Sequence, residues 1–183
     1  MWQGAIHSRG ISTIWVWERT YNDSSDFSDS ILHRPDMLRE TNYAMIDVNR
    51  LANEIHALET TEKNIGILYS KTARAYSLRS SNSLVAAYEA ASYLGERIDF
   101  VTEKQAAGGK LSNSDIDILI IPYETHILDG ALEGIRDFIA SGKKVIIIGE
   151  DNIAFNQYNK PFDKELRDYI FSNSRVIPAA ANP

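Results

Sequence analysis

From about residue 35 onward, short apolar runs alternate with longer segments in which apolar residues recur every three or four positions. Val48, Leu51, Ile55 and Leu58 follow 3, 4, 3 spacing behind Pro35, a residue suited to a helical first turn, and predict an amphipathic helix from about Asp36 to Thr60. Asn64 to Tyr69 is an apolar run rich in β-formers and reads as a buried strand. Leu84, Ala87, Ala91 and Leu94 set the register of a second helix, with Gly95 placed to end it. The alternation then repeats. Arg97 to Val101 and Asp117 to Pro122 predict strands, Leu128, Leu132, Ile135 and Ile139 a helix ending near Gly142, and Lys144 to Gly149 another buried strand. Leu166 and Ile170 suggest a short closing helix, and Arg175 to Ile177 a last strand.

Strands that are apolar on both sides and separated by helices imply a parallel sheet covered on two faces, because right-handed crossovers carry helices over both. The expected fold class is therefore α/β, a doubly wound parallel sheet of about five strands in the flavodoxin-like order. In such a sheet a ligand crevice lies at the carboxyl ends of strands near the topological switch. The first thirty residues do not continue the βα rhythm. Ile11 to Trp17 alternates with β-branched and aromatic residues, and Tyr21 to Ser30 is polar and rich in Asp and Ser.

Composition narrows the function by exclusion. With 19 basic and 25 acidic residues the net charge is −6, which argues against affinity built on neutralising nucleic-acid phosphates or an anionic membrane surface. Zero cysteines exclude a thiol nucleophile, a thiolate metal site and a disulfide. The opening residues lack a basic n-region and an apolar h-region, and no run approaches the ~18 apolar residues of a membrane span, so a soluble, cytoplasmic protein is expected. The end, Ile177 to Pro183, reads as a linker or a cut.

Three strand-end loops are candidates for chemistry. Tyr69-Ser70-Lys71-Thr72-Ala73-Arg74 lies where flavin-binding folds cradle phosphate, but it has no glycine to let backbone approach, so a solvated capping loop is the expectation. Pro122-Tyr123-Glu124-Thr125-His126 brings an acid close to an imidazole; without a nucleophile, the simpler reading is a helix-entry turn with Asp129 and Glu133 near the dipole. Gly149-Glu150-Asp151 follows the next strand, and the acids a phospho-receiver needs after the first and central strands are replaced by Tyr69-Ser70 and Pro122-Tyr123. His7, His33, His56 and His126 are scattered singly, so no metal is expected, and Asp23, Asp26 and Asp29 lack the spacing of a calcium loop. Trp15 and Trp17 alternate along a strand ending in Glu18-Arg19; they suit stacking on sugar rings, though large buried strand residues are the simpler reading.

Taken in chain order, three segments resemble the family 42 glycoside hydrolases, which include many β-galactosidases. Trp2 to Gly10 followed by Ile14-Trp15-Val16-Trp17-Glu18-Arg19 looks like the final helix and eighth strand of that family's (β/α)8 barrel. His33-Arg34-Pro35 and the long helix resemble the connection leaving it. Ile65 to Ser70, Asp117 to Pro122 and Gly142 to Ile148 look like the family's trimerisation domain, which has a class I amidotransferase-like fold without the glutaminase centre. The resemblance implies three parts: residues 1 to 34 a barrel-end remnant and connection, 35 to 178 the α/β domain, and 179 to 183 a linker.

It also implies a retaining glycoside hydrolase as the parent enzyme, with two carboxylates about 5 to 5.5 Å apart at the ends of the fourth and seventh barrel strands. Neither strand is in this sequence, so the chain alone is expected to be inactive and no residue of it is assigned catalysis. Trp17, Glu18 and Arg19 would at most line a sugar subsite, because barrel sites gather at the C-terminal ends of strands. The departure from the family pattern over Thr20 to Leu32 bears on even that role. No cofactor is implied. The expected assembly is a homo-oligomer, a trimer by resemblance, with carbohydrate bound only by a complete barrel. The competing expectation is an independent small enzyme or binding protein using the crevice near Ser70, Tyr123, Glu124 and Glu150.

Overall fold

The computed structural model describes residues 34 to 179. The chain divides into two compact units, Met1–Thr61 and Glu62–Pro183.

In the first unit the described residues are helical apart from Arg34, Leu51 and Thr61. The helix predicted over Asp36 to Thr60 is present as α1 (Pro35–Arg50) and α2 (Ala52–Thr60). They are separated by Leu51 alone, whose φ of −99° and ψ of 22° leave the helical region. The i→i−4 ladder still passes through this residue, since the Leu51 N–H donates to Asp47 O (3.0 Å) and the Ile55 N–H to Leu51 O (2.9 Å). Pro35 occupies the first turn as expected, where its missing N–H removes no intrahelical bond.

The second unit is built on a five-stranded parallel sheet. Its strands are β1 (Ile65–Tyr69), β2 (Ile98–Thr102), β3 (Ile118–Ile121), β5 (Lys144–Ile148) and β7 (Arg175–Ile177), side by side in the order β2-β1-β3-β5-β7. Counting these five alone, that is the 2-1-3-4-5 order of flavodoxin-like sheets. The α/β class and doubly wound form expected from the apolar periods are therefore present. Register follows the strand starts, Ile65 standing beside both Ile98 and Ile118, and Ile118 beside Lys144. Two short strands absent from the sequence reading, β4 (His126–Ile127) and β6 (Phe155–Asn156), pair in parallel as a separate ribbon.

The connecting helices are α3 (Lys71–Tyr76), α4 (Leu78–Ser92), α5 (Glu103–Ala107), α6 (Asp129–Ala140) and α7 (Lys164–Ser172). Gly95 and Gly142, expected as terminators, both take positive φ (73° and 87°) just beyond their helices. Leu94, expected on the buried stripe of α4, is instead exposed, because the helix has already ended at Ser92. The main core joins Leu68, Leu119, Ile121, Val145 and Ile147 of the sheet to Leu132, Ile135 and Phe138 of α6 and Ile170 of α7. A smaller cluster joins Ile65 and Ile67 to Ala91 of α4, with Leu84, Tyr88, Ile98 and Ile120 against it. Close approach of α5 and α6 depends on Gly134: a Cβ there would stand 2.0 Å from the backbone oxygen of Ala106.

Candidate functional site

The sheet order reverses at β1, whose neighbours β2 and β3 are reached in opposite directions, so the switch point lies at the carboxyl ends of these three strands. Each strand delivers one polar residue there. β1 runs into Ser70, β2 into Glu103 through Thr102, and β3 into Glu124 through Pro122 and Tyr123.

Ser70 is fully buried and caps α3, its Oγ accepting the Ala73 N–H at 2.8 Å. The same hydroxyl donates to Glu103 Oε1 (2.9 Å), while the Ser70 N–H donates to Glu124 Oε1 (3.0 Å). Glu103 opens α5 inside a Thr102/Gln105 capping box. Besides Ser70 it accepts the Leu128 N–H (2.9 Å), the Thr72 N–H (3.3 Å) and the Thr72 hydroxyl (3.1 Å). One carboxylate thus ties β1, β2 and the entry to α6 together. Glu124 is tied through its backbone as well: its N–H donates to Asn152 Oδ1 (3.0 Å) and its carbonyl accepts the Ile153 N–H (2.9 Å).

Burial is the main cause that pushes the Glu124 carboxyl well above the ordinary carboxylate range, the Glu103 charge adds to it, and the Ser70 N–H opposes both. Asn152 is buried and spans the ends of β3 and β5, donating to the carbonyls of Pro122 and Ile148. The next residue, Ile153, holds φ at 44°, a left-handed conformation unfavourable for a β-branched side chain. Its side chain is fully buried in the main core, which holds the backbone in that shape.

Tyr123 hydrogen-bonds Asp151 through its hydroxyl and carries the Arg79 guanidinium 3.9 Å above its ring. That hydrogen bond to Asp151, then burial, raises the phenol above its usual range, and Arg79 opposes the shift.

These positions revise several expectations. The Tyr69 to Arg74 segment does cap, as predicted, but it is not a solvated loop: it begins a helix on a serine with no exposed surface. Glu124 and His126 do not form an acid–imidazole pair. Glu124 turns to Ser70, whereas the His126 ring bonds Thr125 Oγ1 (2.9 Å) and Asn159 Oδ1 (3.0 Å) and stacks on Tyr76 with centroids 3.8 Å apart. Nor is this segment a plain helix-entry turn, since His126 and Ile127 form a strand before α6 begins. Of the four crevice residues proposed from sequence, Ser70 and Glu124 are in contact, Tyr123 joins Asp151, and the Glu150 side chain is exposed.

Glu103 and Asn152 were not anticipated. The Thr102-Glu103-Lys104-Gln105 capping box was readable in the sequence and marks Glu103 as a helix-entry residue directly after a strand; no local pattern marks Asn152. Trp17, Glu18 and Arg19, like Trp15, His7 and His33, lie outside the described residues. Among the described residues no group of three or more His, Asp and Glu side chains is arranged to hold a metal ion. No helix among them is long and apolar enough to cross a membrane.

The second unit is thus a doubly wound α/β domain whose strand-end crevice is filled by its own hydrogen-bonded side chains. No protein-family model matches the chain, and no curated protein matches it. The fold does recur in solved structures. The apo exo-carrageenase GH42 from Bacteroides ovatus aligns with 98% of this chain at a TM-score of 0.72 and 22% identity. The cold-adapted β-galactosidase from Rahnella sp. R3 aligns with 81% at 0.53 and 17%. Gan42B, a GH42 β-galactosidase, aligns with 84% at 0.53 and 15%. The chain spans about a quarter of the length of each, the matches covering 24%, 23% and 24% of those chains. The resemblance drawn from sequence patterns holds at the level of the fold.

Proposed function

We propose that this chain is the association region of a β-galactosidase-like glycoside hydrolase, a cytoplasmic homotrimer whose hydrolytic carboxylates lie outside these 183 residues. The observation that carries the reading is the alignment of 98% of the chain with 24% of a GH42 enzyme.

The chemistry of the described residues supports it. A retaining glycosidase needs two carboxyl groups about 5 to 5.5 Å apart on either side of a sugar ring. The two acids that meet at Ser70, Glu103 and Glu124, are 5% and 1% exposed, so no sugar can enter between them. Their donors are backbone and side-chain groups of the same domain, an arrangement that joins strand ends rather than receiving substrate. In this reading Trp17, Glu18 and Arg19 contact carbohydrate only when a closed barrel completes the subsite.

Size-exclusion chromatography with light scattering on the 183-residue protein tests the association role. A trimer is expected, and a strict monomer at high concentration overturns the reading. The same preparation is expected to leave β-galactosides intact; cleavage that is abolished by changing one of its own acids overturns it equally.

A further inference from the structure

Two buried carboxyl groups meet at one serine, and they are served very unequally. Four donors compensate the negative charge of Glu103: the Ser70 and Thr72 hydroxyls and the Thr72 and Leu128 N–H groups. Among the described residues the Glu124 carboxyl has one donor, the Ser70 N–H on Oε1, and its Oε2 is buried with no hydrogen-bond partner.

Among the described residues no ion pair offsets this. The charged and titratable groups on the elements packed around Glu124 include Glu103 of α5, His126 of β4 and Asp151, which is held by Tyr123. On α3 and the end of β1, Lys71 and Arg74 are exposed, Arg74 being bound to the Tyr69 hydroxyl, and Tyr76 stacks on the His126 ring. To these are added Arg79 of α4, stacked on that tyrosine, and Arg167 of α7, bound to the carbonyl oxygens of Glu150 and Asn152. Among the described residues neither Arg79 nor Arg167 forms a salt bridge with Glu124 or Glu103. A charged Glu124 would be a second desolvated anion beside Glu103, with a single N–H to compensate it.

We propose that Glu124 keeps its proton in the folded domain at neutral pH, and that this proton is a pH-sensitive lock on the tie joining the ends of β1, β2 and β3. As a neutral acid Glu124 accepts the Ser70 N–H without placing a second anion beside Glu103, while the Ser70 hydroxyl stays within reach of Glu103 Oε1 (2.9 Å) and the His126 carbonyl (3.1 Å). Once ionised, it sets two anions against one serine. The inference goes beyond the association role and does not depend on it.

The sign follows from linkage. Burial and Glu103 raise the Glu124 carboxyl in the folded state, so the folded state binds the proton more tightly than the unfolded chain. The stabilisation is complete below the unfolded value of about 4.3 and is lost as pH rises through the folded value. Within that window the unfolding constant rises about tenfold per pH unit from this group alone, and above it the dependence levels off. Most paired carboxylates do the reverse.

The test is urea unfolding of the full chain from about pH 5 to about pH 9, for the wild type and Glu124→Gln, a neutral isostere of the protonated acid. The wild type is expected to lose stability as pH rises. E124Q is expected to lack that slope and to be the more stable protein at the alkaline end. Groups that do not interact with position 124 are common to both proteins, so their contributions cancel in the comparison. Equal slopes overturn the proposal. Infrared spectroscopy of the native wild type gives a second readout should the variant not fold: a protonated carboxylic-acid carbonyl band at neutral pH that vanishes on alkalinisation. Its absence at neutral pH overturns the proposal.

Discussion

The two faces of the central sheet have the same kind of sequence and different degrees of closure. Side chains alternate along a strand, so Leu119, Ile121, Val145 and Ile147 point to one face and Ile118, Ile120, Ile146 and Ile148 to the other. All eight are aliphatic. The first four are at most 2% exposed, whereas the second four are only half-buried. Topology accounts for the difference. The chain steps from β1 to β2 in one direction, then from β2 to β3, β5 and β7 in the other. Right-handed crossovers therefore put α4 on one face and α5, α6 and α7 on the opposite one. Three helices seal the first face, while α4 covers the second chiefly over β1 and β2. Apolar alternation states that both sides of a strand avoid water, but the number of helices on each side is set by where the strand order reverses.

Neighbouring residues of one strand measure this contrast directly. Ile147→Ala, on the sealed face, is expected to cost about 2 to 5 kcal/mol in chemical unfolding, combining lost burial with the cavity left among Leu119, Phe138 and their neighbours. Gly134→Ala attacks the same face from its helices, since the added Cβ meets Ala106 backbone that cannot rotate aside; a loss of about 1 to 3 kcal/mol, read as a lower unfolding midpoint, is expected. Ile146→Ala, one residue away on the less closed face, is expected to cost less, about 1 to 2 kcal/mol, because its side chain is only partly buried and leaves no sealed cavity. Equal losses at positions 146 and 147 would show the two faces to be equally closed and the topological argument to be wrong.

The polar switch point differs from both faces, and it was the least legible part of the chain. Buried aliphatic strands announce themselves as runs such as Val145 to Ile148, because every position obeys the same preference. Glu103 and Glu124 stand 21 positions apart in sequence and look like ordinary surface acids at helix and loop starts. Their burial arises only when parallel pairing brings the ends of β2, β1 and β3 side by side, with Ser70 between them. The β4–β6 ribbon escaped notice for a related reason: two residues per strand are too few to display a period, and their pairing is nonlocal. The helix over residues 35 to 60 lay at the opposite extreme. Its extent was readable from four spaced residues, although the departure at Leu51 was not, and of those four only Ile55 is buried while Leu58 is exposed.

The sequence alone determined the α/β class, the five strands of the main sheet, the glycine-terminated helices and the absence of thiol chemistry. Each follows from local propensity, periodicity or composition, which act over a few residues and need no knowledge of the partner segment. Only the tertiary structure decided which face of the sheet is sealed, which acids are buried, and that the crevice at the switch point is filled by Ser70, Glu103 and Glu124 rather than left open. Those outcomes depend on contacts between residues far apart in the chain, and the energy of a buried carboxyl group is set by its neighbours in space rather than in sequence.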